Sequence, residues 1–103
     1  SNLFVEKYVK VKEMIVAPGK ATSFQKHSMR NELWFISKGS CEVNHSKQES
    51  GEKKNTKLNT FDYYLIPVGE WHQLMNISNH PCHIIEIQYG EGCYENDIER
   101  AKS

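Results

Sequence analysis

PGKATSFQKHSMRNELWFISKG, running from Pro18 to Gly39, is the stretch on which the fold turns. It brings Gln25, His27 and Glu32, three potential metal ligands, into eight residues. Alternation in an extended segment over 21–27 places Ser23, Gln25 and His27 on one side and Thr22, Phe24 and Lys26 on the other. Ser28 to Asn31 reads as a polar turn. The strand expected over 32–37 then sets Glu32, Trp34 and Ile36 on one face and Leu33 and Phe35 on the other. Such a turn between two strands can return Glu32 to the side of Gln25 and His27. A second cluster, PVGEWHQLMN from Pro67 to Asn76, offers His72 as a fourth ligand. Two imidazoles, one carboxylate and one amide oxygen suit a divalent transition metal and leave positions for water or substrate.

The rest of the chain reads as a scaffold of short strands. Leu3 to Val16 is expected as one strand, with Val9 and Val11 on one face, Lys10 and Lys12 on the other, and Pro18-Gly19 ending it. Lys38 to Ser40 is a tight turn, followed by a strand over 41–43. The polar run over 44–60 is expected to be a long hairpin tip or a solvated connector. His45, within that run, is not selected as a ligand because nothing nearby shares its face. Further strands are expected over 61–66, 72–77 and 82–89. The last of these puts Ile84, Glu86 and Gln88 on one face and His83, Ile85, Ile87 and Tyr89 on the other. The polar tail is assigned a helical turn over 95–100. Short strands punctuated by Gly, Pro and Asn, without a long helix, indicate an all-β sandwich or barrel in a single domain over 1–103.

Charge and composition exclude several function classes. Thirteen basic and thirteen acidic side chains cancel, so no field of one sign attracts nucleic acid or an anionic membrane. No apolar run approaches the roughly 20 residues that span a bilayer, and no leader resembling a signal peptide is seen. Cys41, Cys82 and Cys93 form no CxxC pattern and cannot all pair within the chain. Free thiols in a reducing compartment, the cytoplasm, are the expectation.

Taken together, the two ligand clusters resemble the cupin superfamily. Gly19, Gln25, His27, Glu32 and Gly39 fall on the first cupin motif over 19–39, with Gln25 replacing its first histidine. Pro67, Gly69, His72 and Asn76 fall on the second motif over 61–76, and Phe61 stands where that motif opens with glycine. The resemblance implies a double-stranded β-helix, or jelly roll, with Gln25, His27, Glu32 and His72 pointing into the barrel. Within cupins the sequence is similar to type II mannose-6-phosphate isomerases. The similarity rests on Gln25-x-His27-x-x-Arg30-x-Glu32-x-Trp34, on Asn59 and Ile66-Pro67-x-Gly69-x-x-His72, on Ile85-Glu86-Ile87-Gln88 and on Asp97-Ile98-Glu99-Arg100. Ser28, Met29 and Leu33 stand where that family carries further histidines, and Gln73 where it carries arginine.

That resemblance implies an aldose–ketose isomerase interconverting mannose 6-phosphate and fructose 6-phosphate, a homodimer, and one divalent metal ion. Zn, Mn, Fe, Co and Ni all tolerate these ligands, with Zn or Mn favoured. Moving a proton between C1 and C2 needs a Lewis acid, a base near carbon and an anchor for phosphate. Glu86 is the candidate base, sharing its face with Gln88 on a hydrophobic strand. Arg30 and Arg100 are the candidate phosphate anchors, because guanidinium forks match phosphate oxygens. Two other readings stand beside it: a cupin enzyme of another class, epimerase-like or oxygen-using, and a non-catalytic sugar-binding module.

Overall fold

The computed structural model describes residues 2–94 and 96–101. Among the described residues ten strands lie in two five-stranded antiparallel sheets. The first has the order β1 (Asn2–Val5), β2 (Val9–Val16), β9 (Cys82–Gly90), β4 (Arg30–Lys38), β7 (Tyr63–Ile66). The second has the order β10 (Glu99–Arg100), β3 (Gln25–Lys26), β8 (Trp71–Met75), β5 (Cys41–Ser46), β6 (Lys54–Leu58). This is the double-stranded β-helix of the cupins. Among the described residues no helix is long and apolar enough to cross a membrane.

Period-two alternation decides what lies between the sheets. Trp34 and Ile36 from β4, Ile84 from β9, Val43 from β5 and Leu74 from β8 form a dry core. One step further along the same inner faces, the apolar side chains give way to Glu32, Glu86, Gln88 and His72, all buried. One end of the barrel is therefore packed and the other is polar. In β2 the inward face is the one bearing Lys10, Lys12, Met14 and Val16, with Lys10 and Val16 buried. The outer face of the first sheet is also largely apolar, with Leu33, Phe35, Leu65, Ile85 and Ile87 on it.

Three expected elements differ. The single strand over 3–16 is two strands, β1 folding back on β2 with Phe4 opposite Val11. The reversal at Glu6–Tyr8 carries no Gly or Pro to announce it, and the Glu6 amide donates to the Val9 carbonyl at 2.8 Å. Within the polar run over 44–60, 44–46 and 54–58 are paired strands, with Asn44 opposite Asn55 and His45 opposite Lys54. The tip, 47–53, and the closing 59–60 lie outside β5 and β6. A sheet with one solvated face accommodates polar residues that single-sequence reading assigns to loops. The helical turn over 95–100 is not formed over 96–100, where a turn leads into β10. Glu95 lies outside the described residues.

Two turn positions fix the ends of β4 and β7. Gly39 has φ +85°, and a Cβ there would stand 2.6 Å from the Pro81 carbonyl oxygen. Phe61, at the place of the motif glycine, has φ +73° and is the one non-glycine residue with positive φ among those described. Its amide donates to the Ile36 carbonyl at 2.7 Å and its ring stacks on Phe35 with centroids 6.1 Å apart.

Candidate metal centre

Three strands and one turn converge at the polar end of the barrel. Gln25 of β3 is in register with His72 of β8, so the two project to the same side. His27 lies one residue beyond β3, and Glu32 reaches the same point from β4 in the other sheet. The nearest ligating atoms of His27, Glu32 and His72 all lie within 4.8 Å of one another, and all three side chains are buried. Glu32 Oε2 is 3.0 Å from His27 Nε2, and Glu32 Oε1 is 3.5 Å from His72 Nε2.

The outer nitrogens of both rings are held by main-chain carbonyls. His27 Nδ1 donates to the Asp97 carbonyl at 2.5 Å, and His72 Nδ1 donates to the Glu70 carbonyl at 3.1 Å. Each Nε2 is thereby turned inward with its ring orientation set, the arrangement that carbonyl partners impose on metal-binding histidines. Burial lowers the His72 pKa, against the opposing pull of Glu32. Its Nε2 is buried without a hydrogen-bond partner. A buried acceptor without a partner is costly; a divalent cation within reach of Nε2 and Glu32 satisfies it. The donor set therefore fits a metal ion. Asp97 also positions the preceding loop, its carboxylate accepting from the Ser28 and Met29 amides at 2.9 and 2.8 Å.

Arg30 stands beside this cluster. Its guanidinium donates to Glu32 Oε2 at 3.0 Å from Nε, with Nη2 at 2.9 Å, and to the Tyr94 carbonyl at 3.2 Å. Nη2 is also 3.1 Å from His27 Nε2. Burial alone would raise the Glu32 pKa, but the His27 hydrogen bond and the charges of His72 and His27 outweigh it and hold the carboxyl well below the usual range.

Glu86 is the second buried carboxyl. Its Oε1 accepts from Gln88 Nε2 at 2.6 Å and its Oε2 from Trp34 Nε1 at 3.0 Å. The same indole N–H lies 3.2 Å from Glu32 Oε1, so Trp34 bridges the two carboxylates. Burial first, then the charge of Glu32, pushes the Glu86 pKa up to about 7. One carboxyl of the pair is thus anionic while its neighbour holds a proton more readily.

A cavity of about 310 Å³ opens onto the cluster, lined by Gln25, His27, Arg30, Glu32, Glu86 and Arg100 among others. Gln25 Oε1 accepts from the Ser23 hydroxyl at 2.9 Å, so its amide borders the cluster with its oxygen turned to Ser23. Arg100 is exposed at the rim on β10, opposite Gln25. Lys12 also lines this cavity, a residue that alternation placed on the lysine face without saying that this face looks inward. His45 does share a face with His72, its Cα partner across β5 and β8. Its nitrogens are engaged by Tyr64 Oη at 2.9 Å and Glu70 Oε1 at 2.5 Å, outside the three-residue cluster. Asn76 is structural: its amide donates to the Val16 and His80 carbonyls, both at 2.8 Å.

The family model described as mannose-6-phosphate isomerase C-terminal matches residues 2–103. The mannose-1-phosphate guanylyltransferase 2 of Escherichia coli O157:H7 is 37% identical over 98 residues, covering 94% of this chain and 19% of that protein. The alginate biosynthesis protein AlgA of Pseudomonas aeruginosa is 34% identical over 90 residues, covering 87% of this chain and 18% of that protein. The chain thus spans about a fifth of the length of these curated relatives. Among solved structures, a double-stranded β-helix protein of Klebsiella pneumoniae superposes with a TM-score of 0.80 at 18% identity, covering 100% of this chain and 83% of that one.

Proposed function

The chain belongs to the mannose-6-phosphate isomerase C-terminal family, and from that premise we propose that it is a metal-dependent isomerase interconverting mannose 6-phosphate and fructose 6-phosphate. The observation that carries the reading is the buried His27–Glu32–His72 cluster, of which His27 and Glu32 line one cavity together with Glu86.

His27, Glu32 and His72 would hold the ion, and Gln25 would join them by turning its amide oxygen from Ser23. A divalent ion held there would supply Lewis acidity toward the substrate carbonyl. Glu86 is the base in this reading. As carboxylate it takes the proton from C2 of the aldose, leaving an enediolate with its charge on the former carbonyl oxygen at C1. The C2 hydroxyl proton passes to that oxygen and Glu86 delivers its proton to C1, which leaves the ketose and restores the carboxylate. Trp34 and Gln88 fix its two oxygens, so the transfer needs little reorganisation. Arg30 reaches a phosphate only by leaving Glu32, whereas Arg100 stands at the rim.

A second copy of the chain is the partner this reading carries. Outward-facing Leu33, Phe35, Ile85 and Ile87 give the first sheet an apolar outer face, with Phe61 and Tyr63 more than two-thirds exposed beside it. Apolar area of that kind on a soluble domain is commonly covered.

The decisive experiment loads the purified chain with Zn or Mn and follows mannose 6-phosphate by NMR. Appearance of fructose 6-phosphate is expected; absence of conversion with every metal refutes the activity.

A further inference from the structure

Two cations that the ligand cluster does not use face the cavity from opposite sheets. Lys12 lies on β2 with its Cα opposite Glu86, and Arg100 lies on β10 opposite Gln25. Both line the 310 Å³ space that also touches His27, Glu32 and Glu86.

Lysine on an inward strand face is costly unless its charge is matched. Lys12 shares the inward face of β2 with buried Lys10 and Val16, which leaves it half-buried and aimed at the cavity. Among the described residues neither Lys12 nor Arg100 forms an ion pair. The nearby carboxylates are engaged elsewhere: Glu32 with Arg30 and His27, Glu86 with Trp34 and Gln88. Burial and the charges of Lys12 and Arg30 also lower the Lys10 pKa, as expected where positive charge is in excess. The wall beneath β2 and the rim at β10 are thus electropositive, and the floor carries the candidate ligands.

We propose that Lys12 and Arg100 together form the phosphate clamp of this cavity, gripping the dianion of a sugar phosphate whose carbonyl end lies over His27, Glu32 and His72. The assignment rests on the sugar-phosphate reading above and adds a residue to it. The Arg100 fork meets two phosphate oxygens, while the Lys12 ammonium supplies a point charge from the facing sheet. Arg30 keeps its place on Glu32. A volume of about 300 Å³ is at the small end of ligand pockets and suits one hexose phosphate.

Calorimetric titration of the metal-loaded full chain with inorganic phosphate, mannose 6-phosphate and mannose tests the clamp. Lys12→Met and Arg100→Met should each weaken both phosphate ligands at least tenfold, leaving mannose binding and metal content as in the parent. Lys12→Arg, which keeps the charge, should retain most of the affinity, separating lost charge from lost folding. Unchanged phosphate affinity in Lys12→Met overturns the proposal, as does a parent chain that binds neither phosphate ligand. Clamp-dependent binding without turnover upholds the clamp and refutes the isomerase reading. Turnover with undiminished phosphate affinity in Lys12→Met does the reverse.

Discussion

Arg30 and Glu32, two positions apart on β4, turn to the same side, and Arg30 Nη2 lies 2.9 Å from Glu32 Oε2. Both side chains are almost wholly buried. In the metal-free protein a fixed cation thus stands against the one carboxylate of the candidate ligand set. Removing one partner of a buried pair leaves the other charge uncompensated, typically at a cost of about 3–5 kcal/mol. Arg30→Met should therefore lower the thermal midpoint strongly in EDTA, and a saturating divalent ion should recover much of that loss. Equal losses with and without metal would show that Arg30 does not share Glu32 with an ion.

His27→Ala and His72→Ala should each remove most of the bound metal seen by elemental analysis. Each truncation deletes an Nε2 whose orientation the carbonyls of Asp97 and Glu70 have already fixed. Full occupancy in either variant would refute the ligand assignment. For His72 the apo protein should tolerate the change better than its burial suggests, because the deleted Nε2 has no hydrogen-bond partner to lose.

Glu86→Gln should keep the metal and abolish isomerisation, since the amide cannot accept the C2 proton; retained turnover removes Glu86 as the base. The same variant reads out a pH effect in the metal-free protein. Glu86 has a folded pKa of about 7 against 4.5 for the free side chain. Between those values the native state binds more protons than the unfolded chain, so the stability from this group falls as pH rises. The loss is complete above about pH 7 and is at most about 3 kcal/mol. Glu32, held low, acts in a different window: its contribution is present above pH 4.5 and is lost as pH falls below it. Denaturant melts in EDTA between about pH 5 and pH 8 should show the parent losing stability relative to Glu86→Gln. Parallel curves would refute the raised Glu86 pKa.

Phe61→Gly should stabilise the monomeric fold. A non-glycine residue in the left-handed region costs about 1–2 kcal/mol, and Phe61 sits at φ +73°. Part of that gain is offset by the greater freedom of glycine in the unfolded chain and by the lost stack on Phe35. A net gain of at most about 1 kcal/mol is expected. Because Phe61 extends the apolar outer face, the same change should weaken self-association, read by light scattering over a dilution series. A lowered midpoint would overturn the strain argument, and an unchanged mass distribution would separate Phe61 from the proposed dimer contact.

Alternation by itself determined which residues of β4, β8 and β9 share a face, because strand geometry is local and has a period of two. That sufficed to group Glu32 with Trp34 and Ile36, and Glu86 with Gln88. The motif spacings around His27 and His72 were equally local, and with the family resemblance they carried the jelly roll. Tertiary structure alone decided the rest, because it depends on which strands pair. β9 inserts between β2 and β4, and this brings Glu86 within reach of the indole that also touches Glu32. The return of β10 onto β3 carries Asp97 to His27, a contact spanning 70 positions. The inward aim of Lys12 was equally hidden, since a strand with lysines on one face and valines on the other gives no sign that its lysines look into a polar cavity. Period and spacing act between neighbours in the chain, whereas charge compensation, cavity lining and strain at Phe61 arise between segments that only folding brings together.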